Sequence, residues 1–391
     1  MFWIDYELTR WSELFHNLNN TATRHLMIIK NTFKNKTVLI TGHTGFKGAW
    51  LAAWIKQLGA KVVGISLDPP SDPSHFAVAN MADAMTDLRV DIRNQAALEE
   101  SIIAAKPDFV FHLAAQALVR RSYDDPLETW QTNVLGTLHV LEALRKLDKP
   151  CTTVMITSDK CYDNVEWVWG YRETDAMGGP DPYSASKGAA ELAIRSHIKS
   201  YFPKATSKVR IASARAGNVI GGGDWAADRI VPDCVKAWSA SKAVELRNPH
   251  STRPWQHVLE PLSGYLSLAV ALSQRPEMHG EPFNFGPPAQ QNHSVLELVQ
   301  QMALHWDQVR WQDVSKSVAG PHESGLLKLN CDKALHYLQW RAVMGFEDTV
   351  RMTAEWYRSY YQQPTEIAST TQSQIEAYTT LARQQGLSWA E

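Results

Sequence analysis

Short apolar runs alternate with longer, mixed stretches along most of the chain. The first run, Val38-Leu39-Ile40, is continuously apolar and reads as a strand buried on both faces. It leads into Gly42-x-x-Gly45-x-x-Gly48, and then into an amphipathic stretch over residues 50–58 that stops at Gly59. The pattern predicts strand, glycine turn, helix. Further strands are predicted at 61–67, 87–90, 108–112, 151–157 and 208–214, with long helices over about 126–147 and from Tyr183 to about residue 202. Six such alternations predict an α/β fold, a doubly wound parallel sheet of Rossmann type.

After Arg215 the rhythm changes. Gly221-Gly222-Gly223-Asp224-Trp225 reads as a mobile or ligand-shaped loop, and short elements follow it. A helix over 261–272 is predicted to return to the main sheet. A strand at Phe283-Asn-Phe and helices over 294–306, 332–338 and 347–360 complete the pattern. The expected division is an N-terminal extension over 1–34 and a dinucleotide-binding domain over 35–215, to which 256–286 returns. A smaller substrate-binding lobe over 216–255 and 287–362 follows, with a tail over 363–391 read as one loose helix. In the extension, Phe2, Trp3, Trp11, Leu14 and Phe15 suggest an amphipathic helix that docks on the body or a partner. The alternative is a start-site artefact, because Met27 lies close to the first strand.

Composition narrows the class. A length of 391 residues suits a large α/β unit with a second lobe. A formal net charge of −2 gives no case for nucleic acid or an anionic membrane as the main partner. Cys151, Cys161, Cys234 and Cys331 form no C-x-x-C pair, so no metal site is expected, and their scarcity fits a reducing compartment. No run approaches transmembrane length, and the N-terminus lacks a signal pattern; the expectation is a cytoplasmic protein. Packing accounts for most of the fifteen tryptophans.

The candidate chemistry begins at the glycine turn. Gly42, His43, Thr44, Gly45, Phe46, Lys47 and Gly48 form a candidate pyrophosphate cradle, because glycines admit close backbone approach and the following helix start offers free N–H groups. Asp68, Ser66 or His43 is expected to meet the adenine ribose. Residues 65–80 contain no Lys or Arg to meet a 2′-phosphate, which favours NAD over NADP. Asp91-Ile92 either caps the next helix or faces the adenine. Ala114-Ala115-Gln116, small residues at a strand end, leave room for a cofactor. Tyr183 and Lys187 stand at i and i+4 on a helix, where an ammonium beside the phenol is expected to lower its pKa and make a base for alcohol oxidation. Both also face the cofactor in this reading. Ser158, Asp159 and Lys160 sit at the carboxyl end of the fifth strand, where open α/β sheets bind ligands. They offer a hydroxyl, an acid and an amine; a solvated Asp–Lys loop pair is the plain alternative.

The glycine turn together with Tyr183-x-x-x-Lys187 resembles the extended short-chain dehydrogenase/reductase superfamily. Within it, the strings from Ser158 to Asn164, Arg215 to Trp225 and Arg253 to Val258 are similar to the CDP-glucose 4,6-dehydratase family, over residues 33–360. The resemblance implies NAD as cofactor, CDP-glucose as substrate and an internal redox cycle. Tyr183, aided by Ser158 and Lys187, deprotonates the 4-hydroxyl while C4 is oxidised. Asp159 acts as acid toward the 6-hydroxyl and Lys160 as base at C5, and hydride returns to C6. Relatives acting on TDP- and GDP-sugars carry Glu where this chain has Lys160, so Lys160 must be neutral to serve. Arg229 and Arg253 are read as diphosphate ligands, since a guanidinium matches phosphate oxygens, and Trp225 or Trp255 as a wall or stacking face of the site. The resemblance also implies ligand contacts at Asn218 and Arg121, a homodimer or homotetramer built on the two long helices, and a place in deoxysugar synthesis for surface polysaccharide. A 4-epimerase needs no acid and base for C5 and C6, and a non-catalytic NAD-binding regulator needs no Tyr–Lys pair.

Overall fold

The computed structural model describes residues 29–315 and 326–391; the helix expected within residues 1–28 lies outside them. Seven strands make one parallel sheet: β1 (Thr37–Thr41), β2 (Lys61–Ser66), β3 (Thr86–Arg89), β4 (Phe109–His112), β5 (Cys151–Ile156), β6 (Val209–Ala216) and β7 (Pro282–Phe285). Their spatial order is β7-β6-β5-β4-β1-β2-β3. The order reverses between β1 and β4, so their carboxyl ends flank a crevice there.

Why the sheet is wound on both faces is visible in β1. Successive strand residues point to opposite sides. Val38 and Ile40 join the core built with α1 (Phe46–Gln57) and α8 (Leu259–Gln274). Leu39 joins the other core, with α2 (Gln95–Ala105), α5 (Gly136–Arg145) and α6 (Pro182–Tyr201). A strand buried on both faces needs a continuous apolar run, which is what the sequence carries. α8 does return to the sheet, packing against β5 and β6.

Three segments differ from the sequence expectation. The first helix is not amphipathic: residues from Gly48 to Ile55 are all buried, because α1 lies between the sheet and the C-terminal elements. The long helix over 126–147 is α4 (Pro126–Trp130), a π-helical stretch Gln131–Leu135, and then α5. The tail is packed, not loose. Its helix α12 (Ile367–Gln384) buries Ile375 and Tyr378, and Tyr378 meets Trp54 of α1 edge-on at 5.7 Å.

Besides two short helices, Ile29–Phe33 and His75–Val78, the remaining described helices are α3 (Val119–Asp124), α7 (Ile230–Ser239), α9 (Val295–Met302), α10 (Asp332–Leu338) and α11 (Phe346–Gln362). The loop 221–225 is buried throughout. A Cβ on Gly222 would stand 2.0 Å from the Trp356 ring, and Trp50 Nε1 donates to the Gly222 carbonyl at 2.8 Å. Packing against α11 requires Gly222, while Gly221 lies against Val258 and Phe46, and Gly223 has φ +86° and lies against His75.

Candidate active site

β1 delivers the chain to Gly42, whose φ of +79° suits glycine. A Cβ on Gly48 would lie 2.0 Å from the Gly42 carbonyl oxygen, so the turn closes only with glycine there. Gly45 precedes α1 in extended conformation and supplies no side-chain cap. The first-turn N–H groups of α1 therefore remain available, beside Ala114 at the end of β4, whose nitrogen would be 2.7 Å from a Cβ on Gly42. These close backbone approaches and the uncapped helix start fit a dinucleotide pyrophosphate.

Around the turn, sequence expectation and structure part in places. His43 is fully buried; its Nε2 pairs with Asp87 at 2.8 Å, and Gly64 leaves room for the ring. It packs from inside against Gly64 of β2. The Ser66 hydroxyl bonds Thr44 at 2.7 Å, while Asp68 is 92% exposed. A basic group does come to this corner, from outside the 65–80 window. Arg89 of β3 donates to the Leu67 carbonyl at 2.8 Å and to Asp87 at 2.7 Å, and those partners occupy it. Asp91 is held by Arg93 at 2.6 Å, which keeps its carboxyl below the usual range, and Asn94 caps α2 in its place. Ile92 is buried against Gly136. Ala115 continues the β4 end loop, and Gln116 is buried with its side-chain amide donating to Thr129 and to the Leu118 carbonyl.

The catalytic candidates converge at the β5 end. Ser158 caps a 3-10 turn, Asp159–Cys161, and its hydroxyl donates to Asp159 at 2.9 Å. Asp159 is buried, and desolvation raises its pKa against the opposing pull of Lys160, Ser158 and Lys47. Asp181 caps α6, which opens with Pro182 and presents Tyr183 and Lys187 on one face. The Lys187 ammonium lies 5.8 Å from the Tyr183 ring centre. Burial outweighs that proximity: Tyr183 is pushed up to about 12, with the Ser158 hydroxyl working against the rise. Lys187 is pulled down to about 8, again by burial. The expected lowering of the phenol is therefore not found in the protein alone, because desolvation penalises both charged forms.

Beneath the site, Glu191 of α6 forms a buried pair with Arg215 at 2.9 Å and accepts from Thr157 at 2.5 Å and Ser213 at 3.0 Å. Arg215 also donates to Tyr162 at 2.7 Å. This network locks α6 to β5 and β6. Sequence reading missed Asn133. From the π-helical stretch it accepts from Gln116 N at 2.8 Å and donates to the Ser186 hydroxyl at 2.9 Å, tying the β4 end loop to α6.

The expected substrate residues are split. Arg229 stands before α7, bonded to Asp224 at 2.6 Å, and its charge reaches Tyr183. Asn218 is half-buried just beyond β6, and Arg253 is half-buried in a short strand that pairs with 293–294. Arg121 instead lies on the surface, bonded twice to Glu128 at 2.9 and 3.0 Å; its neighbour Arg120 is the one that reaches Asp228, at 3.0 Å. Trp225 is core, 3% exposed among Trp356, Tyr357 and Tyr360. A small cleft, with room for about one water molecule, adjoins Asp159 and is lined among the described residues by Gly217, Gln256, Pro287 and Lys328. The Gln256 side-chain oxygen is buried there without a partner among the described residues.

The family model described as GDP-mannose 4,6 dehydratase matches residues 39–353. A CDP-glucose 4,6-dehydratase of Salmonella typhimurium is 46% identical over 338 residues, covering 85% of this chain and 94% of the relative. A CDP-paratose 2-epimerase of Salmonella typhi is 27% identical, covering 67% of this chain and 82% of the relative. Among solved structures, a UDP-glucose 4-epimerase from Stenotrophomonas maltophila with bound NAD has a TM-score of 0.71 at 22% identity, covering 84% of this chain and 99% of that one. A dTDP-glucose 4,6-dehydratase from Streptomyces venezuelae with NAD has a TM-score of 0.68 at 19% identity, covering 82% and 96%. At these identities the structures speak to the fold.

Proposed function

The chain belongs to the GDP-mannose 4,6-dehydratase family, and from that premise we propose that it converts CDP-glucose to CDP-4-keto-6-deoxyglucose. The observation that carries the reading is the meeting of Tyr183, Ser158 and Asp159 at one strand end beside the glycine turn. NAD, held at that turn by Gly42, Gly45 and Gly48 and along Ser66 and Ala114, would supply the hydride acceptor at C4 and the donor at C6.

The chain's own residues do the proton work. Tyr183 takes the proton of the 4-hydroxyl, with Ser158 donating to the same oxygen and Lys187 favouring the phenolate. Once C4 is a ketone, the C5 proton is acidic. Lys160, half-buried on the turn beside Asp159, removes it. Asp159, kept protonated by burial, gives its proton to the 6-hydroxyl, and water leaves. A 4-epimerase would leave the acid Asp159 without a task.

Arg229 and Arg253 are assigned to the diphosphate, since a guanidinium matches phosphate oxygens. Asn218 and Gln256 face the sugar, where a hydroxyl would satisfy the unpaired Gln256 oxygen. The exposed apolar residues Leu127, Leu135 and Leu192 of the segments leading to α5 and on α6 support a homodimer through these helices. The four unpaired cysteines support a cytoplasmic location.

Incubation of the purified protein with CDP-glucose tests the reading. A product lighter by one water, with a 4-keto-6-deoxy sugar, is expected; recovery of CDP-galactose overturns it. The same assay with TDP- and GDP-sugars tests the base preference. Lys160→Met should retain C4 oxidation and lose elimination; near-normal turnover rejects its role as base.

A further inference from the structure

One carboxylate oxygen is shared by two arginines from segments far apart in the chain. Asp228 Oδ1 lies 3.0 Å from a guanidinium nitrogen of Arg120 and 2.8 Å from one of Arg247. Because both meet the same atom, two like charges are held side by side. Arg120 belongs to α3 and is tied to the β4 end loop: Gln116 donates to the Leu118 carbonyl at 3.0 Å and accepts from the Leu118 N–H at 2.6 Å. Asp228 and Arg247 come from beyond β6. Asp228 directly precedes Arg229 and has a left-handed φ of +61°, and Arg247 directly follows the short strand Val244–Leu246.

The charges at this point do not balance. Arg229 already has its own carboxylate, Asp224, at 2.6 Å. That leaves Asp228 alone between two guanidinium groups, with a surplus positive charge. Asp233, a turn into α7, is the other nearby acid, and Lys236 opposes its charge. Each guanidinium has five N–H donors, and one shared oxygen occupies at most one from each. The side chains of Arg120, Arg247 and Asp228 are 42%, 32% and 43% exposed, so a dissolved anion can reach them. A diphosphate brings more oxygens and more negative charge than a single carboxylate, in the geometry that a guanidinium fork matches.

We propose that Asp228 is a placeholder for the substrate's diphosphate: it keeps Arg120 and Arg247 gathered beside Arg229, and a nucleoside diphosphate displaces it and takes both guanidinium groups. The proposal rests on the nucleotide-sugar reading above. It adds two phosphate ligands to Arg229 and Arg253, and it makes the bound nucleotide the bridge between the β4 end and the segments after β6.

Titration calorimetry of the full chain with CDP, UDP and NAD tests it. Arg120→Gln and Arg247→Gln should each weaken CDP about tenfold, the worth of one charged hydrogen bond, and UDP equally, since the diphosphate is common to both. NAD should bind as before. Asp228→Asn, which tolerates the left-handed backbone, should tighten CDP about two- to fivefold, because the competitor is gone. If it does not fold, Asp228→Ser is read the same way. Weaker or unchanged CDP binding in the Asp228 variant overturns the placeholder. Unmoved CDP in the arginine variants, or a loss confined to CDP, overturns their role as phosphate ligands. An equal loss of NAD marks the ion pairs as merely structural and overturns it too. A parent protein that binds neither CDP nor UDP overturns the nucleotide-sugar reading itself, before any variant is made.

Discussion

At the scale of single residues, the site is a balance between burial and charge. Tyr183 and Lys187 share a helix face, as their spacing shows, but the sequence does not show how deeply both are sunk. The depth sets the phenol at about 12 and the ammonium at about 8. Removing the phenol oxygen should therefore abolish alcohol deprotonation: Tyr183→Phe is expected to lose turnover about 100-fold or more, measured as ketone formation, with substrate affinity little changed. Gly48→Ala probes the turn. Its Cβ would meet the Gly42 carbonyl, so cofactor affinity by calorimetry should fall sharply, while Gly345→Ala, whose Cβ meets nothing within 4 Å, should leave it unchanged. What the residue pattern hid was long-range partnership. His43 looked like a cofactor contact because it neighbours Gly42, yet Asp87, 44 positions on, draws its ring inward. Arg89 stands outside residues 65–80, because β3 lies beside β2 only in the fold.

At the scale of elements, α6 is held by one buried ion pair. Cutting Glu191 from Arg215 leaves an uncompensated interior charge, which costs about 3–5 kcal/mol. Glu191→Ala should lower the melting temperature and misplace Tyr183 together. A second buried carboxyl fastens the C-terminal elements. Glu260, on α8, accepts from the backbone N–H groups of Val343 and Met344 and from Tyr378 of α12, and burial raises it to about 7. Its folded pKa lies above the ordinary carboxylate value, so the folded state binds the proton more tightly. The stability this gives is fully present below about pH 4.5 and is lost as pH rises through about 7. Chemical denaturation of Glu260→Gln across that range should show a flatter profile than the parent; an identical slope would count against the assignment. Strand and helix positions were legible because both follow apolar period. The π-helical stretch was not, because Asn133 earns its geometry from Gln116 and Ser186 and not from local spacing. The packed tail was missed for the same reason: its Gln- and Thr-rich composition hides a face of Ile367, Ile375 and Tyr378 that finds α1 only in three dimensions.

For the whole molecule, the parallel sheet places the glycine turn, the Ser158–Asp159 turn and the start of α6 along one edge. Chemistry scattered over about 145 residues of sequence thereby becomes one cleft. The doubly wound parallel sheet was readable from alternation alone; its strand order was not. The short strands that follow β6 were not, since they pair through contacts such as 219–220 with 256–257 that no local pattern announces. On the outer face, Leu127 and Leu192 are 72% and 56% exposed. Leu127→Glu with Leu192→Glu should convert the proposed dimer to monomers in sedimentation; an unchanged mass would reject that interface.

The whole scheme stands on where the C4 hydrogen goes. CDP-glucose carrying deuterium at C4, turned over in ordinary water, should yield a 4-keto-6-deoxy product with the deuterium at C6, a solvent proton at C5 and no net NADH. Deuterium retained at C4 of a galactose-configured sugar, or lost from the product altogether, would contradict it.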